Sequence, residues 1–166
     1  MRSREGKPTE EWVFGDGGPV VLLQSAAVGR WNGAPVMDES DYDIICAVDE
    51  GVQVITHLDR DMIVLSDSEW AAKIVDREDG LFIFQSLGHD GTPAEIIDSL
   101  IAGEPESVFG FTQIDASVRL MVGADTAANP IYDYTERPLA PGVYRVRSYA
   151  SDEAYVARLT PVQGHE

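Results

Sequence analysis

The side chains best suited to chemistry are scarce on one side and abundant on the other: three histidines and one cysteine stand beside 29 Asp and Glu. His57, His89 and His165 are scattered, and none has a second histidine at metal-ligand spacing. His57-Leu-Asp59-Arg-Asp61 puts three possible ligands within five residues, a pattern that suits a metal and that a solvent-facing polar turn explains as well. The chain has no Gly-rich phosphate loop, no Gly-x-Ser-x-Gly elbow and no Cys/His nucleophile constellation. Gly15-Asp-Gly-Gly lacks the strand before it and the amphipathic helix after it that a dinucleotide site requires. These residues predict no catalytic side chain, no metal site and no cofactor. A pair of carboxylates meeting in the fold is the one enzymatic arrangement left open.

The densest charge lies in Asp38-Glu-Ser-Asp-Tyr-Asp43-Ile-Ile-Cys46-Ala-Val-Asp49-Glu50, six acids without a base around an apolar run. Acids fixed to a strand form a rigid negative rim, whereas the same acids in a disordered tail are only a solvated charge run. Asp38, Glu39, Asp41, Tyr42, Asp43, Asp49 and Glu50 are therefore the candidate partner-binding residues, with Trp31 just ahead of them as an aromatic anchor. Core packing is the commoner use of a tryptophan, and Trp12, Trp31 and Trp70 carry that reading too. Cys46 has no internal disulfide partner, and its setting in Ile44-Ile45-Cys46-Ala47-Val48 predicts a small buried residue rather than a nucleophile.

The formal net charge is -17, and residues 31–106 alone hold 18 acids against three bases. Such a surface disfavours nucleic-acid phosphates and anionic lipid and is complemented by a basic protein. Acidity also serves solubility on its own. No run approaches the ~18 apolar residues of a membrane span, and Met1-Arg-Ser-Arg-Glu-Gly-Lys7 has no apolar region behind it, so a cytoplasmic protein is expected.

A mostly β framework must position these groups. Residues 20–23 read as a short buried strand, and 25–31 as a short helix closed by Gly33 with Ala27 and Trp31 on one side. Residues 44–48 and 52–56 are expected to be strands joined by Asp49-Glu50-Gly51, followed by a turn at 58–61 and a strand at 62–65. Ser66-Asp-Ser-Glu69 has the form of a capping box and predicts a short helix burying Trp70 and Ile74. Residues 81–84 suit a central strand. The clearest helix has Thr92 as cap, Pro93 at its first position, a stripe of Ile96, Ile97, Leu100 and Ile101, and Gly103 as its stop. Strands follow at 108–111, 118–122 and 131–134, and 143–149 with 154–159 forms a hairpin with Arg145 and Arg147 on the face opposite Tyr144 and Val146.

About ten short, mainly antiparallel strands with two or three short helices predict an α+β, mostly β, sandwich-like domain over residues 11–166, with 1–10 a flexible N-terminal segment. Residues 18–23 echo 116–121 and residues 42–56 echo 144–159, so two similar halves are a further possibility.

Gly17-Gly18-Pro19-Val-Val-Leu-Leu23, Trp31-Asn-Gly33, Ser40-Asp41-Tyr42-Asp43, Cys46 with Val48, and Val64-Leu65-Ser-Asp67 resemble, in kind and order, the bacterial immunity protein family numbered twenty-one. The resemblance covers roughly residues 12 to 85. It implies a small cytosolic β-rich protein, encoded beside a polymorphic toxin, that neutralises the toxin its own cell makes. Gln24 departs from it, since proline is expected after the leucine pair, and the turn from His57 to Asp61 is more polar than the resemblance implies. Pro141-Gly-Val-Tyr144-Arg-Val146 is also similar to the end of the small competence-protein-J nuclease inhibitors. Both resemblances imply inhibition by binding, which agrees with an acidic, aromatic-flanked patch meeting a basic cleft. The expected function is that of a non-enzymatic immunity protein with a cognate basic toxin as partner. Two other classes stay open: a small-molecule or carbohydrate-binding β domain with Trp31 or Trp70 lining a cavity, and an enzyme with a carboxylate pair in a buried cleft.

Overall fold

Apolar, β-branched stretches form strands that pair into two five-stranded antiparallel sheets. The computed structural model describes residues 6–10, 12–13, 19–33, 41–48, 51–66, 71–86, 93–125, 132–151 and 154–162. In chain order the elements are β1 (Val20–Gln24), α1 (Ser25–Val28), α2 (Asp41–Cys46), β2 (Val52–His57), β3 (Arg60–Leu65), β4 (Ala71–Arg77) and β5 (Gly80–Ser86). Helix α3 (Pro93–Ile101) follows, and then β6 (Ser107–Gln113), β7 (Ser117–Val122), β8 (Thr135–Pro138), β9 (Gly142–Ala150) and β10 (Ala154–Pro161). One sheet runs β2-β3-β1-β7-β8 and the other β4-β5-β10-β9-β6. The mostly β sandwich expected from the pattern is what the chain forms.

Strand alternation divides the apolar residues among three layers. Between the sheets, Leu22, Ile63 and Leu120 of the first meet Ile83, Val146 and Leu159 of the second. On the outer side of the first sheet, Val21, Leu23, Met62, Val64 and Met121 pack under α1 and α2 with Ala27, Trp31 and Ile45. On the outer side of the second, Phe82, Phe84, Tyr149 and Val156 lie under Ile97 of α3. The order is helices, sheet, sheet, helix. α3 ends as expected, with the Gly103 N–H donating to the Leu100 carbonyl at 3.1 Å; its expected cap, Thr92, lies outside the described residues.

Several expectations are corrected. Residues 44–48 are not a strand: they complete α2 and the turn after it. Tyr42, Ile45 and Val48, three apart, turn one helical face to the Trp31 cluster, and a short apolar run cannot by its composition tell a strand from a helix. Asp41 and Asp43 fall in the first turn, where the helix dipole favours them. The expected hairpin around Asp49-Glu50-Gly51 therefore does not form, and β2 pairs with β3 across Leu58 and Asp59. Cys46 is exposed, not buried, because it faces away from the sheet. Ile74 sits on strand β4, opposite Ile83, where an alternating edge finds an apolar neighbour strand; Trp70 and residues 67–69 of the capping box lie outside the described residues.

The strand expected at 131–134 begins instead at Thr135, and Tyr134 makes an isolated bridge to Pro8. That bridge ties down part of the expected flexible segment. Thr9 N–H donates to Tyr134 O at 2.7 Å, and Glu10 pairs with Arg137 at 2.6 Å. Of the two internal echoes, 18–23 and 116–121 fall on β1 and β7, which are paired neighbours. The other fails, since 42–56 begins as helix α2 while 144–159 is the β9–β10 hairpin.

Candidate functional site

Helix α2 is tied at its start to one small platform. After α1 the chain presents Trp31, Asn32 and Gly33 in succession, and each holds something. The Trp31 indole N–H donates to the Gly123 carbonyl at 3.0 Å. The Asn32 backbone N–H donates to Oδ2 of Asp41 at 2.7 Å. The Gly33 carbonyl accepts from the Tyr42 N–H at 2.9 Å. Gly33 has φ +61°, and a Cβ there would run into the carbonyls of Ala124 and Asp125, so only glycine fits. The chain thus leaves at Gly33 and re-enters at Asp41 with the two ends hydrogen-bonded to each other.

A second tie comes from the β2–β3 hairpin. His57 Nε2 lies 2.7 Å from Oδ1 of Asp41, and both side chains are largely buried. A carboxylate only accepts, so Nε2 carries the proton in this contact. The His57 ring also meets Trp31 edge to face, with centroids 6.0 Å apart. The hairpin turn places Leu58 and Asp59 at φ 56° and 61°, a twist that non-glycine residues rarely adopt. Leu58 packs against the Trp31 cluster, and its carbonyl accepts from Arg30 at 3.2 Å, which holds the strained turn in place.

The candidate residues have unequal fates. Trp31 is only 2% exposed and packs in the outer cluster, so among the described residues it is a core residue supporting the platform and not a surface anchor. Asp41 spends both carboxylate oxygens on Asn32 and His57, which makes it a positioning residue. Tyr42 is half-buried, and the hydrogen bond its hydroxyl donates to the Cys46 sulfur, together with burial, pushes its phenol above the ordinary tyrosine value. Asp43 is exposed on the outer surface of α2. Asp38, Glu39, Asp49 and Glu50 lie outside the described residues. The three possible metal ligands of the hairpin turn go to separate partners: His57 to Asp41, Asp59 to Arg30, and Asp61 to Thr56 and Thr112. Among the described residues no group of three or more His, Cys, Asp or Glu is placed to hold a metal.

Sequence reasoning missed the polar bridge that fixes the hairpin from below. Gln24, fully buried at the end of β1, donates to the carbonyls of Asp61 (3.1 Å) and Thr112 (2.7 Å) and accepts from the N–H groups of Ile114 (2.7 Å) and Asp115 (3.2 Å). Beside it Arg60 grips Asp115 with two bonds of 3.0 and 3.2 Å. That contact holds the Asp115 carboxyl below its ordinary value and raises the Arg60 guanidinium. The signal was the single polar residue closing an apolar strand. A polar cleft of about 100 Å³ near Gly51, Gln53, Ser107 and Ser148 is small beside the ~300 Å³ that a ligand pocket needs.

What the arrangement can do is present a surface: α2 is held on the outer face of a rigid sheet. No helix among the described residues is long and apolar enough to cross a membrane. No curated protein and no solved structure matches the chain, and the C-terminal likeness to nuclease inhibitors has no counterpart in these comparisons. The family described as immunity protein 21 matches residues 11–154, well past the N-terminal half that carries the resemblance, and the chain belongs to that family.

Proposed function

We propose that this immunity protein neutralises a cognate toxin by binding alone, without catalysis, and that the acidic surface carried by α2 and the segments flanking it makes the contact. The observation that supports this reading most is the double tie on Asp41, which leaves Asp43 exposed on a helix whose position is set by Asn32 and His57. Acids held in place before encounter complement a basic cleft without an ordering cost at binding. Charge of opposite sign speeds association and selects the partner, while buried contacts set the lifetime of the complex. With 29 acids against 12 bases, the natural complement is a cationic toxin. The test is co-expression with the toxin of the same cell: growth is restored, and a stable one-to-one complex elutes from a sizing column. Restored growth with the toxin chemically altered would instead indicate an enzyme.

A further inference from the structure

The uncovered part of the second sheet's outer face carries an arrangement that costs stability. Arg147 on β9 stands directly opposite Arg158 on β10, and Arg145 lies two residues along β9 on the same face. Like charges placed opposite each other on neighbouring strands repel. Carboxylates are abundant, and each of the five other described arginines has one within 3.3 Å. These three have none within ion-pair distance among the described residues. Arg147 donates to Thr160 Oγ1 at 3.2 Å, and Arg158 gives its donors to the Asp79 carbonyl at 3.0 and 2.8 Å. Both guanidinium groups are thereby oriented; Arg158 also acts on the nearby Asp79 carboxylate, whereas Arg147 has no carboxylate at ion-pair distance among the described residues. Beside them are two of the most exposed large apolar residues described, Val108 opposite Arg147 at 55% and Val143 at 52%.

We propose that this face docks an acidic segment of a protein partner, whose carboxylates pair with Arg145 and Arg147 and whose apolar side chains cover Val108 and Val143. Arginine forks bind carboxylates bidentately, and pre-oriented ones lose less freedom in doing so. The interleaved valines favour a protein over a polyphosphate, which has no apolar side chains to cover them. A symmetric contact with a second copy would set arginine against arginine. The face lies on the side of the sandwich opposite α2, so it does not depend on the toxin reading, and both faces can be occupied together.

The test uses the full chain and a labelled synthetic peptide of alternating glutamate and leucine, followed by fluorescence anisotropy at low and high salt. Saturable binding that weakens with salt is expected. Arg145→Glu with Arg147→Glu should lower affinity by about tenfold or more, and Val108→Ser should lower it as well. The neutral pair Arg145→Gln with Arg147→Gln relieves the cross-strand repulsion, so it is expected to fold with at least the parent's stability while binding the peptide more weakly. Binding unchanged by these substitutions, full competition by an oligonucleotide of equal charge, or self-association through this face would each overturn the proposal.

Discussion

The imidazole of His57 and the carboxylate of Asp41 meet at 2.7 Å, joining the end of β2 to the first turn of α2. Helix α2 has six residues, too few to be stable alone, since isolated helices shorter than ~12 residues are marginal in water. Its position therefore comes from its ties: this pair, the Asp41–Asn32 bond and the burial of Ile45.

Replacing His57 by Ala should destabilise the fold by about 1–2 kcal/mol, through a lost hydrogen bond to a charged group and a lost ring contact with Trp31. Urea unfolding measures this. Because Asp41 and His57 act on each other, a double-mutant cycle with Asp41→Ala should give a coupling energy of about 0.5 kcal/mol or more. Simple additivity would mean that the pair does not hold the helix.

Gly123 is the seat of α2. A Cβ added there would overlap Cδ1 of Ile45 and press on the Pro19 carbonyl, so Gly123→Ala should cost about 1–3 kcal/mol by overpacking. Adding Ile45→Val removes the clashing methyl and should recover part of the loss. Thermal unfolding of the single and double variants distinguishes this from a defect at the Trp31 bond, which the second change would not repair.

Gln24→Leu fits the strand but leaves two carbonyls and two N–H groups where one amide now serves all four. Each buried group left without a partner costs about 1–3 kcal/mol, so this should be the most damaging of the single changes. Amide hydrogen exchange should show the loss first at Ile114 and Asp115.

Acid should weaken the same corner. The Arg60 hydrogen bond, against partial burial and with help from the Ala26 N–H, holds the Asp115 carboxyl below its ordinary value. A carboxyl depressed in the folded state adds stability that is present above the unfolded pKa of about 4 and is lost as pH falls through the folded value. Urea midpoints should therefore drop below about pH 4, and Asp115→Asn should flatten that part of the profile while lowering stability at neutral pH.

Much of the fold was legible because alternation and turn residues are local signals. The β9–β10 hairpin, the run 81–84 and α3 with its stop at Gly103 all follow from neighbours in sequence. The failures share a cause: they were decided by distant contacts. Ile44-Ile45-Cys46 became helical because Ile45 fits over Gly123 and Tyr42 caps the Trp31 cluster, and no local pattern reports either. Ile74 became a strand residue through pairing with β5. For the site, the Trp31-Asn-Gly33 and Asp41-Tyr42 motifs were visible as words in the sequence, but that one set holds the other depends on hydrogen bonds across the chain. Gln24 showed only as a departure from pattern; its four partners lie 37 to 91 residues away.

The central claim is that acidic side chains on and beside α2 drive toxin capture, and stopped-flow association with the cognate toxin across a salt series tests it most directly. Neutralising Asp43 together with Asp38, Glu39, Asp49 and Glu50, as Asn or Gln, should slow association by about tenfold or more and flatten its salt dependence. Asp41→Asn should act differently, through the loosened helix. Association as fast and as salt-sensitive in the neutralised variant as in the parent would contradict the account.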